Sequence, residues 1–202
     1  MEAHYAECTT PLEADWPFGG VAGEPPVPTD ALFRPSIMRL GAEHERPLAE
    51  LLLNLDRPSR IHRFGHAASD PCVRAYAKRA VSTAAFMAGV FAGDILVGVI
   101  EVFAAGRDIA EVAFAVHTDW RRLGLASALL EIAIQWSKRS GIETLRLVIS
   151  RSNWPMRQLA NKAGARFDLV LDEIYADIRT SKGVQRPENS VNCIGADRDA
   201  LA

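Results

Sequence analysis

The stretch Val116-His117-Thr118-Asp119-Trp120-Arg121-Arg122-Leu123-Gly124-Leu125-Ala126-Ser127 decides how the rest of the chain is read. Ahead of it, residues 109–116 (Ile-Ala-Glu-Val-Ala-Phe-Ala-Val) make a short apolar run with β-branched members, which predicts a strand. Behind it, Leu125, Leu129, Ile132 and Trp136 recur at steps of four, three and four residues, one face of an amphipathic helix. A strand thus gives way to a loop of Arg and Gly, and the loop to a helix. The first N–H groups of a helix lack intrahelical acceptors and lie at the positive end of its dipole, so a phosphate or another anion is favoured there. Gly124 and Ala126 leave the backbone open to close approach. Arg121 and Arg122 add guanidinium groups that a phosphate engages in bidentate fashion. From the loop alone, an anion site and a tight turn with two solvated arginines weigh equally.

Upstream, residues 1–32 are broken repeatedly by Pro and Gly, as in Trp16-Pro17-Phe18-Gly19-Gly20 and Gly23-Glu24-Pro25-Pro26-Val27-Pro28. They read as an irregular arm that Trp16 and Phe18 anchor on the domain or on a second subunit. Residues 33–40 predict a first strand, with Pro35 confining it to an edge or to its own start. Residues 43–53 predict a helix with apolar positions at Leu48, Leu51, Leu52 and, just beyond, Leu55. Residues 57–64 are basic and aromatic and precede a second helix at about 70–81, with Asp70 as its cap and Pro71 in its first turn. Two strands at 84–91 and 95–103 are joined by the turn Ala92-Gly93-Asp94.

Downstream, the loop-led helix runs to Ser140 and is stopped by Gly141. A strand follows at 144–150. Asn153 caps another helix with Pro155 in its first turn, ending at Gly164. A hairpin at 165–170 and 172–180 closes the domain. The residues from 181 to 202 are polar and read as a tail.

At 202 residues the chain suits one domain with appendages, and its net charge of −2 offers no attraction to nucleic acid. Cys8, Cys72 and Cys193 are scattered and lack metal spacing, as free thiols in a reducing compartment would be. No basic and apolar leader opens the chain and no apolar run is long enough to span a membrane, so a cytoplasmic protein without a membrane partner is expected. The five histidines are dispersed, and no metal site is expected.

The segment Arg121-x-x-Gly124-x-Ala126 resembles the Q/R-x-x-G-x-G/A signature of the GNAT acetyltransferases. The order of elements over residues 33–180 is similar to that family's as well. Asn153 followed by Gly164-Ala165-Arg166-Phe167 resembles its "N-x-x-A-x-x-L-Y-x-K-x-G-F" region. Ser59-Arg60-Ile61-His62-Arg63-Phe64 resembles the "S-R-Y-x-R-F" stretch of the GNAT domains joined to acyl-CoA synthetases, some of which acetylate protein lysines. The resemblance implies a mixed α+β fold, a mostly antiparallel sheet flanked by helices. It also implies that the loop residues Arg121, Arg122, Leu123, Gly124, Leu125, Ala126 and Ser127 hold the pyrophosphate of acetyl-CoA. Backbone groups at Val116 would then meet the pantetheine arm and the developing oxyanion. Asn153 would reach the same cofactor, although a role as helix cap alone accounts for it equally well.

Acetyl transfer needs a neutral amine, and a free lysine has a pKa of about 10.4, so a base must take its proton directly or through water. A carboxylate raised by partial burial serves. Glu111 matches the family's "A-E-x-A-x-x-V" pattern for the base, and Glu101 on the neighbouring strand is the second candidate. Two positions depart from the pattern. Arg122 replaces the first glycine of the R-G-x-G-x-G form, which implies that this position avoids glycine-only backbone angles. Ala160 stands where the family's tyrosine protonates the leaving thiolate. Three readings follow: an N-acetyltransferase acting on a primary amine, either a protein lysine or a small molecule; a catalytically silent acyl-CoA sensor; and, weakest, another α/β nucleotide-binding domain, since no P-loop lysine motif is present. A homodimer is the default assembly.

Overall fold

The computed structural model describes residues 35–180. The arm expected at 1–32, the polar tail at 181–202 and the start of the first strand at Phe33 lie outside those residues. Strands β1 (Ser36–Arg39), β2 (Phe86–Ala92), β3 (Ile95–Ala104), β4 (Ile109–Val116), β5 (Thr144–Ser150), β6 (Arg166–Val170) and β7 (Glu173–Arg179) make one sheet in the order β1-β2-β3-β4-β5-β7-β6. Every neighbouring pair is antiparallel except β4 and β5. The helices are α1 (Glu45–Leu53), α2 (Arg57–Phe64), α3 (Asp70–Thr83), α4 (Leu125–Ser140) and α5 (Trp154–Lys162). The sheet's alternation of side chains gives it two apolar faces. Helices α1 and α3 cover one of them, with Leu48, Leu52, Val73 and Ala77 packed toward Met87, Val99 and Ala115. Helices α4 and α5 cover the other, where Leu125, Leu129, Leu130 and Ala133 meet Val90, Ile100, Phe114 and Leu147.

The parallel pair positions the site. β4 and β5 are in register only from Ile109 opposite Thr144 to Val112 opposite Leu147. Beyond that, residues 113–116 of β4 and 148–150 of β5 are not paired with each other. β4 stays bonded to β3 through Val116 opposite Gly98, and β5 to β7 through Ser150 opposite Glu173. The sheet therefore splits into two wings that diverge toward the end where α4 begins.

Most expected elements are present with shifted ends. The first strand is confined to Ser36–Arg39, and the helix expected from 70 extends to Thr83, with Ser69 rather than Asp70 at its cap position. The segment 57–64, expected as a connection before the second helix, is itself helix α2. Its ends are set locally. Asp56 accepts a hydrogen bond from the Ser59 backbone N–H at 2.8 Å, Pro58 sits in the first turn, and Gly65 stops the helix at φ 75.

Candidate active site

β4 ends at Val116, and His117 still donates its N–H to the Val97 carbonyl at 2.8 Å. A single 3-10 turn over Thr118–Trp120 then swings the chain away from the sheet. Arg121 is extended, Arg122 has φ 66, and Gly124 enters α4 at φ 80. A glycine cannot cap with a side chain, and the first turn of α4 carries no acidic residue. The leading N–H groups at Leu125, Ala126 and Ser127 thus have neither intrahelical acceptors nor a side-chain cap, at the positive end of a sixteen-residue helix. Leu123, Gly124, Leu125, Ala126 and Ser127 all line a cleft of about 1330 Å³ that occupies the split between the two wings. Its other walls are α2, the diverging part of β4, and the start of α5.

The two arginines of the loop behave differently. Arg122, expected to avoid glycine-favoured angles, instead lies in the left-handed region, at a cost of roughly 1–2 kcal/mol for an L-residue. Its side chain is exposed, lines the cleft, and has no hydrogen-bond or ion-pair partner among the described residues. The Arg121 guanidinium, expected to face a phosphate, is turned to protein. It pairs with Asp56 Oδ2 at 2.8 Å and donates to Ser59 Oγ at 2.8 Å and to the Val116 carbonyl at 3.2 Å. The Asp56 carboxyl is held well below the usual carboxylate range, chiefly by the Ser59 N–H and also by the Thr118 hydroxyl and Arg121.

The two carboxylates project from the same face of neighbouring strands, since Glu101 lies opposite Ala113 and Glu111 opposite Phe103. Their surroundings differ. Glu111 lines the cleft and is exposed rather than partly buried. Its partner in the parallel register is Arg146, which binds Asp177 through two hydrogen bonds of 2.8 and 2.7 Å. The positive form of Arg146 is favoured first by Asp177 and also by Glu111. Glu101 does not line the cleft. Its side chain is fully buried, and Oε2 accepts from Arg63 Nη2 at 2.5 Å and from the Tyr76 hydroxyl. Burial, and then the charge of Glu101, push the Tyr76 hydroxyl far above its ordinary range, so it remains a neutral donor.

Asn153 caps α5, accepting from the Met156 N–H at 3.3 Å, and it also lines the cleft. Ala160, in α5, is completely buried in the core and does not reach the cleft. His62 of α2 meets Ser150 at the end of β5, Nδ1 to Oγ at 2.7 Å, and so bridges one wing of the split to the other. Ser59 enters the sequence reading only as the first residue of the Ser59–Phe64 stretch, and Asp56, Tyr76 and Ser150 do not enter it as site residues; for Asp56 the available signal is the Asp56-Arg57-Pro58 pattern of a helix start. Among the described residues no cluster of three or more His, Cys, Asp or Glu is placed to hold a metal ion.

Residues 49–165 match the sequence profile of the acetyltransferase (GNAT) family. The chain belongs to the GNAT acetyltransferases. It is thereby an acyltransferase, of a family that moves acyl groups from acetyl-CoA. Solved structures share the fold at low identity. The GNAT domain of PAT from Streptomyces lividans is 18% identical, with 72% of this chain covering 90% of that one at a TM-score of 0.63. The PaiA N-acetyltransferase of Thermoplasma acidophilum, solved in complex with coenzyme A, is also 18% identical, with 72% and 99% covered and a TM-score of 0.57. An N-acetyltransferase from Staphylococcus aureus is 17% identical, with 73% and 99% covered and a TM-score of 0.56.

Proposed function

We propose that this GNAT protein transfers the acetyl group of acetyl-CoA to a primary amine, with Glu111 as general base. The observation that carries the reading is the split between β4 and β5, which opens onto the uncapped N-terminus of α4. A pyrophosphate at that terminus receives the N–H groups of Leu125, Ala126 and Ser127, with the Arg122 guanidinium beside them. The pantetheine arm, a chain of amides, runs along the edge of β4 at residues 113–116, where the sheet leaves that strand without a partner on the β5 side. Asn153 borders this path from α5. A backbone N–H of the same edge, at or near Val116, stabilises the oxyanion as the amine attacks.

Glu111 lies on the same strand, two residues before the split begins, and faces the α1 and α3 side of the sheet rather than the α4 side. It takes the proton of the ammonium directly or through a water, and the neutral amine attacks the thioester carbonyl. The C–S bond then breaks, and the attacking nitrogen gives its extra proton to water as the amide forms. Since Ala160 offers no acid, the thiolate leaves as its anion or is protonated by water; a thiol pKa of about 8.5 makes it a tolerable leaving group. The acceptor enters from the side walled by α2. A protein lysine is favoured by the Ser59–Phe64 resemblance, with a small amine as the alternative acceptor.

A second reading, a catalytically silent acyl-CoA sensor, is favoured by the burial of Ala160 away from the cleft. One experiment separates the two. Calorimetric titration with acetyl-CoA, beside dephospho-CoA and ATP, is followed by release of free thiol in the presence of lysine peptides and small amines, for wild type and Glu111→Gln. Selective acetyl-CoA binding with turnover that falls at least about tenfold in the variant supports the enzyme. Binding without turnover supports the sensor, and equal binding of ATP refutes both.

A further inference from the structure

Helix α2 forms one wall of the cleft with none of its residues fully buried and only Phe64 packed against the core. It is held otherwise by polar side chains that reach different parts of the fold. Arg60 donates to the Leu53 carbonyl at 2.6 Å and to Asp70 at 2.7 Å, tying α2 to the end of α1 and the start of α3. His62 meets Ser150 on β5, and Arg63 meets Glu101 on β3. At the N-terminal end the tie is Arg121, from the acyl-CoA loop. Its guanidinium takes Asp56 and Ser59 from α2 and the Val116 carbonyl from β4, while Thr118 of the same loop donates to Asp56 at 3.0 Å. Both carboxylate oxygens of Asp56 are thereby engaged, Oδ1 by the Ser59 N–H and Oδ2 by the loop. Turning Arg121 toward a phosphate would break three contacts and leave Asp56 without its cation. The adjacent Arg122 carries no such commitments.

We infer that Arg121 is a positioning residue: it sets helix α2, and so the acceptor wall, against the acyl-CoA loop through Asp56 and Ser59, and does not itself bind the pyrophosphate. This deepens the functional reading above and rests on it for the identity of the ligand. The consequence is a mechanical link. The loop that holds the cofactor and the helix that faces the acceptor are one unit, so ordering the first orders the second.

The test compares Arg121→Gln with Asp56→Asn. Asparagine caps a helix about as well as aspartate, so Asp56→Asn removes the ion pair and keeps the cap on Ser59. Two quantities are measured for each variant and for the double variant: amide exchange across residues 57–64, and the acetyl-CoA dissociation constant by calorimetry. We expect exchange in α2 to rise about fivefold in either single variant and no further in the double one, because both remove the same contact. The acetyl-CoA constant stays within about twofold of wild type. Arg121→Lys, which keeps the charge but not the planar fork, recovers part of the protection. The inference is overturned if Arg121→Gln weakens acetyl-CoA by about tenfold or more while Asp56→Asn does not, since that is the signature of a phosphate ligand. It is equally overturned if α2 exchange is unchanged in both. Should the wild type fail to bind acetyl-CoA at all, the acyl-CoA reading falls, and the exchange comparison alone decides whether Arg121 pins the helix.

Discussion

Replacing Glu101 with glutamine tests whether this carboxylate is structural. The substitution preserves size and keeps one carbonyl oxygen for the two donors, but removes the negative charge opposite Arg63 and puts an NH2 group in the place of the carboxylate oxygen that neither donor reaches. Both charges are withdrawn from water, with side-chain exposures of 8% for Arg63 and 0% for Glu101. The variant therefore leaves a buried guanidinium uncompensated, and breaking such a pair from one side costs about 3–5 kcal/mol. For a chain of this size each kcal/mol moves the melting temperature by about 2–4 °C, so the loss is roughly 6–20 °C. The pair is also imperfectly satisfied, since Glu101 Oε1 and Arg63 Nε have no hydrogen-bond partner among the described residues. Replacing all three members together, as Arg63→Met, Glu101→Leu and Tyr76→Phe, should therefore return stability to within about 1 kcal/mol of wild type, because no charge is then left buried. Urea unfolding followed by tryptophan fluorescence gives both values, with an unchanged slope as the check on two-state behaviour. A Glu101→Gln loss under about 1 kcal/mol would refute the reasoning, because it would mean that water reaches Arg63.

Three further outcomes follow from the geometry. Arg122→Gln should weaken acetyl-CoA by about fivefold, the worth of one exposed charged contact, with little change in melting temperature; calorimetry and thermal unfolding read the two effects separately. Gly124→Val places a β-branched residue at φ 80 beside the open amides, so acetyl-CoA should no longer raise the melting temperature and the apo protein should lose about 1–2 kcal/mol; a wild-type ligand shift in this variant would exclude the loop as the binding site. Asp56 has a carboxyl held below its unfolded value, chiefly by the Ser59 N–H; it binds its proton more weakly when folded, so its contribution is present above the ordinary carboxylate range and is lost as pH falls through and below it. The group is 35% exposed, which limits that contribution to about 1 kcal/mol or less; urea midpoints from roughly pH 6 down to 3 should therefore fall less for Asp56→Asn than for wild type, and parallel curves would remove Asp56 from the acid response.

What was legible in the sequence was what the backbone decides locally. The run into Val116, the glycine at 124 and the apolar face from Leu125 to Trp136 define a strand, a turn and a helix within residues 109–136, and an anion site made of backbone amides needs nothing else. Side chains that act across the fold were not legible in the same way. Helix α2 has start and stop signals at Asp56, Pro58 and Gly65, yet no apolar stripe, because it sets only Phe64 against the core and is otherwise held by polar contacts to α1, α3, β3, β5 and the loop. Hydrophobic periodicity is silent about such a helix. Glu101 and Glu111 looked alike because strand alternation puts both on one face. What separates them is that Arg63 and Tyr76, from α2 and α3, close over the first and leave the second open to the cleft. Arg121 and Arg122 looked alike for the same reason: adjacent arginines in one loop carry equal charge, and only the placement of Asp56 commits one of them. The cofactor side of this site is thus written in backbone grammar, whereas the acceptor side is written in pairs distant in sequence, which is also why the family of the reaction is fixed by the chain more firmly than the amine it acts on.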